Sequence, residues 1–359
     1  MLERATTQLI RTNAVILTVL LILAVVSFPT LAASPWFGGD WESSLRGVKT
    51  DGDWEWDPRT ELTLQASLRD SNVRFFADVS GWIEQRGEDW YSDADVNRLY
   101  VRMFLPKVDL TLGKQQINWG TGRAWSPSDI FNPPDALNPD RQRNGVTAAL
   151  LTISHGPLAY TSMVLAEDPK SDDLAMGMRY HGYTDGIDWS VFLATRKQNP
   201  ILGGDLAMDL AGLGVHSELT YEPDFPYDDG GRLLWLMGSD YSWAKGKLVW
   251  MGEYLYDSTG AKDPKDYKWW RPGVLANATL GRHSLFNQLT YAYDDFNSVS
   301  VHLLSNLVDD SQALTLSHTS ILDTHLQWDI QATYFLGDPG TEYGSHADIM
   351  VGTGITYKF

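Results

Sequence analysis

Arginines recur within alternating stretches of the chain, at Arg46, Arg69, Arg74, Arg98 and Arg102, with Arg179 further on. The setting is clearest in Arg74, Phe76, Asp78, Ser80, Trp82 and Glu84, where polar and aromatic residues occupy every second position. Basic side chains repeated along one face can attract an anion, and charged groups lining a pore select solutes by sign. The same arginines could instead be neutralised by Glu42, Glu61 and Asp78. Asp51, Asp53, Glu55 and Asp57 form a second pattern. An EF-hand loop needs Gly at its sixth position and Glu at its twelfth, and here those are Trp56 and Leu62, so a solvated acidic loop is expected. Glu222, Asp224, Asp228 and Asp229 read the same way. The 8 histidines lack metal-ligand spacing. Ser300 with His302 and His318 with Ser320 are same-face pairs, yet no nucleophile elbow is present. The absence of cysteine excludes disulfides, thiolate metal sites and covalent haem. No catalytic residue, cofactor or metal is therefore expected.

The elements that carry these residues are strands. In 73–84, Val73, Phe75, Ala77, Val79 and Ile83 share one face, and the arginine face is the other. Arg or Lys facing lipid near the bilayer midplane costs about 2–4 kcal/mol, so the charged face must line a lumen. Leu62, Leu64, Ala66 and Leu68 then point out, as do Leu99, Val101 and Met103, while Arg98, Tyr100 and Arg102 point in. Leu326, Trp328, Ile330, Ala332 and Tyr334 point out, opposite Gln327, Asp329 and Gln331. Alternating runs predict strands at 40–49, 60–70, 73–84, 96–105, 108–118, 145–154, 158–166, 174–182, 187–196, 204–210, 213–222, 232–243, 246–257, 273–292, 298–308, 311–321, 324–336 and 347–359. The expected fold is an all-β, transmembrane, antiparallel up-and-down barrel of 18 strands, with 16 as the alternative. Connections alternate in length. Tight turns such as Asp70-Ser71-Asn72 and Leu105-Pro106-Lys107 face longer segments at 50–59, 85–95, 119–144, 167–173, 197–203, 223–231, 258–272 and 337–346. Short periplasmic turns and long external loops follow that rule.

The chain has 359 residues and a formal charge of −18, which by average composition suggests a soluble acidic protein. Alternation explains the polarity instead, and 15 Trp with 16 Tyr suit aromatic girdles. Residues 1–33 have a secretory leader's form, with Arg4 and Arg11 before an apolar run and small residues at Ala32-Ala33. Residues 34–359 are expected to form one barrel domain.

Segment 119–144 breaks the pattern, with four prolines at 127, 133, 134 and 139. Trp119, Trp125, Ile130, Phe131 and Leu137 are too apolar for a segment free in water. An ordered loop this long is usually functional. It is expected to fold into the lumen and narrow it against Arg74, Arg98 and Arg102. Its Asp129, Asp135 and Asp140 would face those arginines, with Arg123, Arg141 and Arg143 adding charge. An external cap is the alternative.

The run Gly113-Lys114-Gln115-Gln116-Ile117-Asn118-Trp119-Gly120, followed by Trp125-Ser126-Pro127-Ser128-Asp129-Ile130-Phe131-Asn132-Pro133, resembles the signature of a broad group of proteobacterial porin-like outer-membrane proteins. The barrel pattern is more distantly similar to alginate-export porins. The alternating final strand ending in Tyr357 and Phe359 resembles the assembly signal of bacterial outer-membrane barrels. The resemblance implies outer-membrane localisation, with lipid, lipopolysaccharide and the barrel-assembly machinery as partners. The expected activity is passage of small polar or anionic solutes, with no nucleic acid involved. A dedicated exporter of an anionic polymer, a transporter of a hydrophobic substrate, an outer-membrane hydrolase and a barrel scaffold for a partner protein are the alternatives. Arg46, Arg69, Arg74, Asp78, Arg98, Tyr100, Arg102 and Arg179 are the expected pore lining.

Overall fold

The computed structural model describes residues 34–139, 143–168, 173–196, 198–228 and 230–359. The leader-like segment 1–33 lies outside them, as do Asp140 and Arg141. Eighteen strands form one sheet in which each pairs antiparallel with its sequence neighbours. They are β1 (Ser34–Thr50), β2 (Asp53–Asp70), β3 (Val73–Arg86), β4 (Asp89–Phe104), β5 (Val108–Gln115), β6 (Val146–Gly156), β7 (Ala159–Glu167), β8 (Leu174–Thr184) and β9 (Ile187–Arg196). The second half comprises β10 (Asn199–Leu210), β11 (Leu213–Glu222), β12 (Arg232–Trp243), β13 (Leu248–Asp257), β14 (His283–Ala292), β15 (Asn297–Asn306), β16 (Gln312–Asp323), β17 (Leu326–Leu336) and β18 (Ile349–Lys358). Pairing of β1 with β18, from Asp40 opposite Lys358 to Lys49 opposite Ile349, closes the barrel. Closure removes the sheet edge, which a strand surrounded by lipid cannot leave unpaired. Among the described residues no helix is long and apolar enough to cross a membrane.

The expected segments 50–59 and 85–95 are not loops. β1 and β2 run to a tight turn at Asp51-Gly52, with φ of 53° and 95°. Both values lie in the left-handed region that a two-residue hairpin turn requires. β3 and β4 likewise reach Arg86 opposite Asp89. The acidic and tryptophan residues of 53–59 were simply the next turns of the same alternation. β10 begins at Asn199, which lies opposite Arg196 of β9, so 199–203 is strand rather than loop. β14 begins at His283, because 273–282 belongs to an outer loop that includes one helical turn, Arg271–Val274.

Leu62, Leu64, Leu193 and Ile330 lie exposed on the outer face. Phe37, Tyr357 and Phe359 mark the end with the short turns, and Trp54, Trp56 and Trp90 mark the other. That distribution is an apolar band between aromatic girdles.

Candidate functional site

The inner faces are of two kinds. On β2, β3 and β4 and along most of β15 to β18 they are polar, with Leu304, Ala313 and Phe335 buried near one end. On β6 to β10 they carry Ala148, Val164, Ala166, Ala175, Phe192, Ala194 and Ile201, all buried. The segment after β5 covers this patch with Ile117, Trp119, Ile130 and Phe131. Trp119 meets Phe131 edge-on at 5.1 Å and lies 5.5 Å from Phe192. Gly177 provides the seat, since a Cβ there would come within 2.6 Å of the Trp119 ring. Further round, Ala124 and Trp125 pack with Leu234, Leu236, Leu255 and Phe286 on the inner faces of β12, β13 and β14. Burial of each large side chain contributes about 1.5–3 kcal/mol.

Two wall carboxylates hold the backbone of this segment. Glu218 of β11 accepts hydrogen bonds from the N–H groups of Thr121 (2.5 Å), Gly122 (2.6 Å) and Ser128 (2.8 Å). The Ser126 hydroxyl also donates to it, at 3.1 Å. Glu253 of β13 accepts from the N–H groups of Arg123 (2.6 Å) and Ala124 (2.9 Å), and lies 3.2 Å from His216 Nε2. Asn277 of the outer loop exchanges two hydrogen bonds with Ser126, each 2.8 Å. A segment with four prolines has no ladder for its N–H groups, so side-chain acceptors must serve.

The structure separates the residues expected to face one another. Asp129 is buried and pairs at 2.9 Å with Arg143 of its own segment rather than with a wall arginine. Burial pushes the Asp129 carboxyl well up, against the pull of the Asn132 N–H and Arg143. Asp135 accepts from the Leu137 N–H. Arg123 reaches Gln288 of β14 at 3.3 Å. Arg196 of β9 pairs with Asp168 at 3.3 Å and donates to the Ile130 carbonyl. The segment therefore docks on β6 to β14, whereas the arginine row lies on β2 to β4. Its described carboxylates, Asp129 and Asp135, are satisfied locally, because partners in the same segment are nearer than the opposite wall.

The wall arginines divide into paired and unpaired. Arg98 makes two hydrogen bonds, of 2.7 and 3.1 Å, to the fully buried Asp78, which Asn97 also reaches at 3.0 Å. Arg98 lies 4.8 Å from the centre of the Phe76 ring, on which Tyr100 stacks at 5.4 Å. Arg102 pairs with Asp109 at 2.6 Å, and Arg179 is buried against Asp205 at 3.0 Å. Arg179 thus has no face on the open lumen. Arg69, Arg74 and Arg102 are cross-strand neighbours in one row near the short-turn end. Arg69 lies over Phe104, and Arg74 over Phe76 with its Nε donating to Ser67. Among the described residues Arg46, Arg69 and Arg74 have no carboxylate within ion-pair distance.

Between the tip of the segment, at Leu137 and Asn138, and the wall formed by β15 to β18 and β1 lies an open cavity of about 490 Å³. Arg46 is the expected lining residue that this cavity contains. Glu218 and Glu253 were missed by sequence reading. The signal available was the near-continuous apolar run of β9 (Val191-Phe192-Leu193-Ala194) and β12 (Leu233-Leu234-Trp235-Leu236-Met237). Strands apolar on both faces are buried on both faces, so something had to cover them inside the barrel.

The fold and the wall-docked inner segment define the class: a closed, 18-stranded antiparallel barrel with a segment seated on its inner wall. Solved structures of that architecture are similar over almost the whole chain. Pseudomonas aeruginosa OccK5 (OpdH) has a TM-score of 0.61 at 12% identity, with 91% of this chain and 98% of that one covered. Acinetobacter baumannii OccAB4 has 0.61 at 8% identity, covering 91% and 98%. The outer membrane protein OprD from Pseudomonas aeruginosa has 0.59 at 12% identity, covering 90% and 93%. These structures do not support the distant similarity to alginate-export porins. No protein-family model and no curated protein matches the chain.

Proposed function

We propose that this chain is a bacterial outer-membrane channel through which small polar solutes, anions included, pass by diffusion. One observation carries the reading. The inner segment is bound to one side of the lumen, and an open cavity of about 490 Å³ remains against the polar wall opposite. A barrel of this strand number encloses more space than side chains fill, and the segment converts that width into a narrow passage. Charged groups act on solutes only where the passage is comparable to the screening length of about 8–10 Å. Arg69 and Arg74, the unpaired members of the row, supply positive charge at the short-turn mouth and draw anions there. Outer-membrane lipid, lipopolysaccharide and the barrel-assembly machinery are the partners this reading requires, with Tyr357 and Phe359 in the assembly signal.

Planar-bilayer recording of the purified chain tests the reading. Stable unitary currents are expected, and a salt gradient gives their ionic preference. Protein that is folded by circular dichroism yet carries no current would refute it.

A further inference from the structure

The polar wall of the cavity has a bare floor. Gly352 and Gly354 of β18 both face the lumen, and neither needs to be glycine for backbone reasons. A Cβ on Gly352 would meet nothing nearer than Gln331 at 3.4 Å, and one on Gly354 nothing nearer than Ser44 at 3.4 Å. Neither has a positive φ. Gly177 on the inner face of β8, by contrast, is filled over by Trp119. The two on β18 leave space instead.

Polar groups flank this floor on both sides. On β1, Arg46 lies opposite Gly352 and Ser44 opposite Gly354, with Glu42 two residues on. On β17, Gln331 lies opposite Gly352 and Asp329 opposite Gly354. Arg46 and Asp329 thus stand on the two banks, separated by two strand spacings of about 4.8 Å each, and they do not pair. Arg46 contacts the sulfur of Met350, a weak acceptor, at 3.4 Å. Asp329 takes one hydrogen bond per oxygen, from Thr319 at 2.7 Å and Gln327 at 2.8 Å. A carboxylate accepts about four in all, so two further acceptor sites remain on an oriented group. Glu42 has no ion-pair partner among the described residues. The banks therefore offer both donors and acceptors to the cavity.

We infer that the glycine-floored groove is a binding subsite for a neutral polyhydroxylated solute, of mono- or disaccharide type. The inference rests on the channel reading above and names its substrate class. An anion gains at Arg46 but meets Glu42 and Asp329, and a cation meets the reverse. A polyol satisfies all of these groups, each hydroxyl both donating and accepting. The cavity falls within the range of about 300–1,000 Å³ typical of small-ligand sites.

The test uses the full chain in planar bilayers, with ion current as the base reading and sugar-induced current noise as the subsite reading. Glucose and sucrose are expected to add concentration-dependent noise, while putrescine and gluconate at the same concentrations add little. Gly354→Leu fills the floor without backbone strain and should weaken the apparent sugar affinity about tenfold or more, with the ionic preference unchanged. Asp329→Asn should weaken it by a smaller factor, since an amide keeps one acceptor. A conducting channel on which sugars act equally in the wild type and Gly354→Leu, or not at all, overturns the subsite and leaves the channel reading standing. Noise from putrescine but not from sugars assigns the groove to cations and also overturns it. Absence of any current in folded protein removes both readings.

Discussion

Glu218 and Glu253 are the two points at which the inner segment can be released. Together they accept five backbone N–H bonds, from Thr121, Gly122, Ser128, Arg123 and Ala124. A hydrogen bond to a charged acceptor contributes about 1.5–3 kcal/mol, and a buried N–H left without an acceptor costs about 1–3 kcal/mol. Opposing release are Trp119, Trp125, Ile130 and Phe131, each fixed by roughly 1.5–3 kcal/mol of apolar burial. Glu218→Gln keeps an acceptor oxygen but turns an amide NH2 toward backbone donors. Its cost of about 1.5–3 kcal/mol is smaller than the summed apolar term, so the segment stays docked and the current becomes noisier. Glu218→Ala combined with Glu253→Ala orphans all five donors, at about 5–15 kcal/mol if water stays out. That is comparable with the apolar term of about 6–12 kcal/mol, of which only Trp125 lies within 120–128, so residues 120–128 should leave the wall. The expected readings are a changed unitary conductance with strong open-channel noise and new protease sensitivity within 120–128. The two substitutions act on one segment, so their effects should exceed the sum of the singles. A double variant with wild-type conductance, noise and protease resistance would refute the anchoring argument.

Arg98→Ala should strip Asp78 of its cation and destabilise the barrel by about 3–5 kcal/mol, read as a lowered temperature for loss of heat-modifiable gel mobility. Neutralising Arg69 and Arg74 should reduce anion preference in a salt gradient more than neutralising Arg98, because Asp78 already cancels Arg98. In the outer loops, burial holds the Glu342 carboxyl up at about 7, above the 4.5 of a free glutamate, although the Leu280 N–H and Asn306 pull it down. A raised carboxyl favours the packed loops at low pH, and that advantage fades as pH rises from about 4.5 to 7, by roughly 3 kcal/mol in all. Hydrogen exchange at Leu280, whose N–H donates to Glu342, should therefore speed up between pH 5 and pH 8 beyond the intrinsic rate, and Glu342→Gln should flatten the difference. Removal of Phe359 should lower the amount of assembled barrel while export to the periplasm continues; unchanged outer-membrane levels would count against its role.

The strand number and chain order of the barrel were legible in the sequence because alternation is local. A period of two in 73–84 or 326–336 assigns faces without knowledge of any partner strand. The turns at 70–72 and 105–107 were legible for the same reason. Local pattern failed where a register shift intervened. Asn97 is an extra residue between Arg98 opposite Asp78 and Val96 opposite Val79, so the faces of β4 exchange above it. It also failed at 50–59, where acidic residues facing the lumen looked like a loop although they continue β2. The composition of 119–144 announced a docked segment, but not where it docks. That depended on the inner faces of β6 to β14, where Gly177 leaves room for Trp119 and Leu236 meets Ala124 and Trp125. The anchors Glu218 and Glu253 lie 90 to 130 residues from the N–H groups they hold, with nothing in their local sequence to mark them. Only barrel closure brings them there. The same closure sets Arg46 and Asp329 on opposite banks of Gly352 and Gly354, because β1 and β17 become neighbours of β18 once the first strand meets the last.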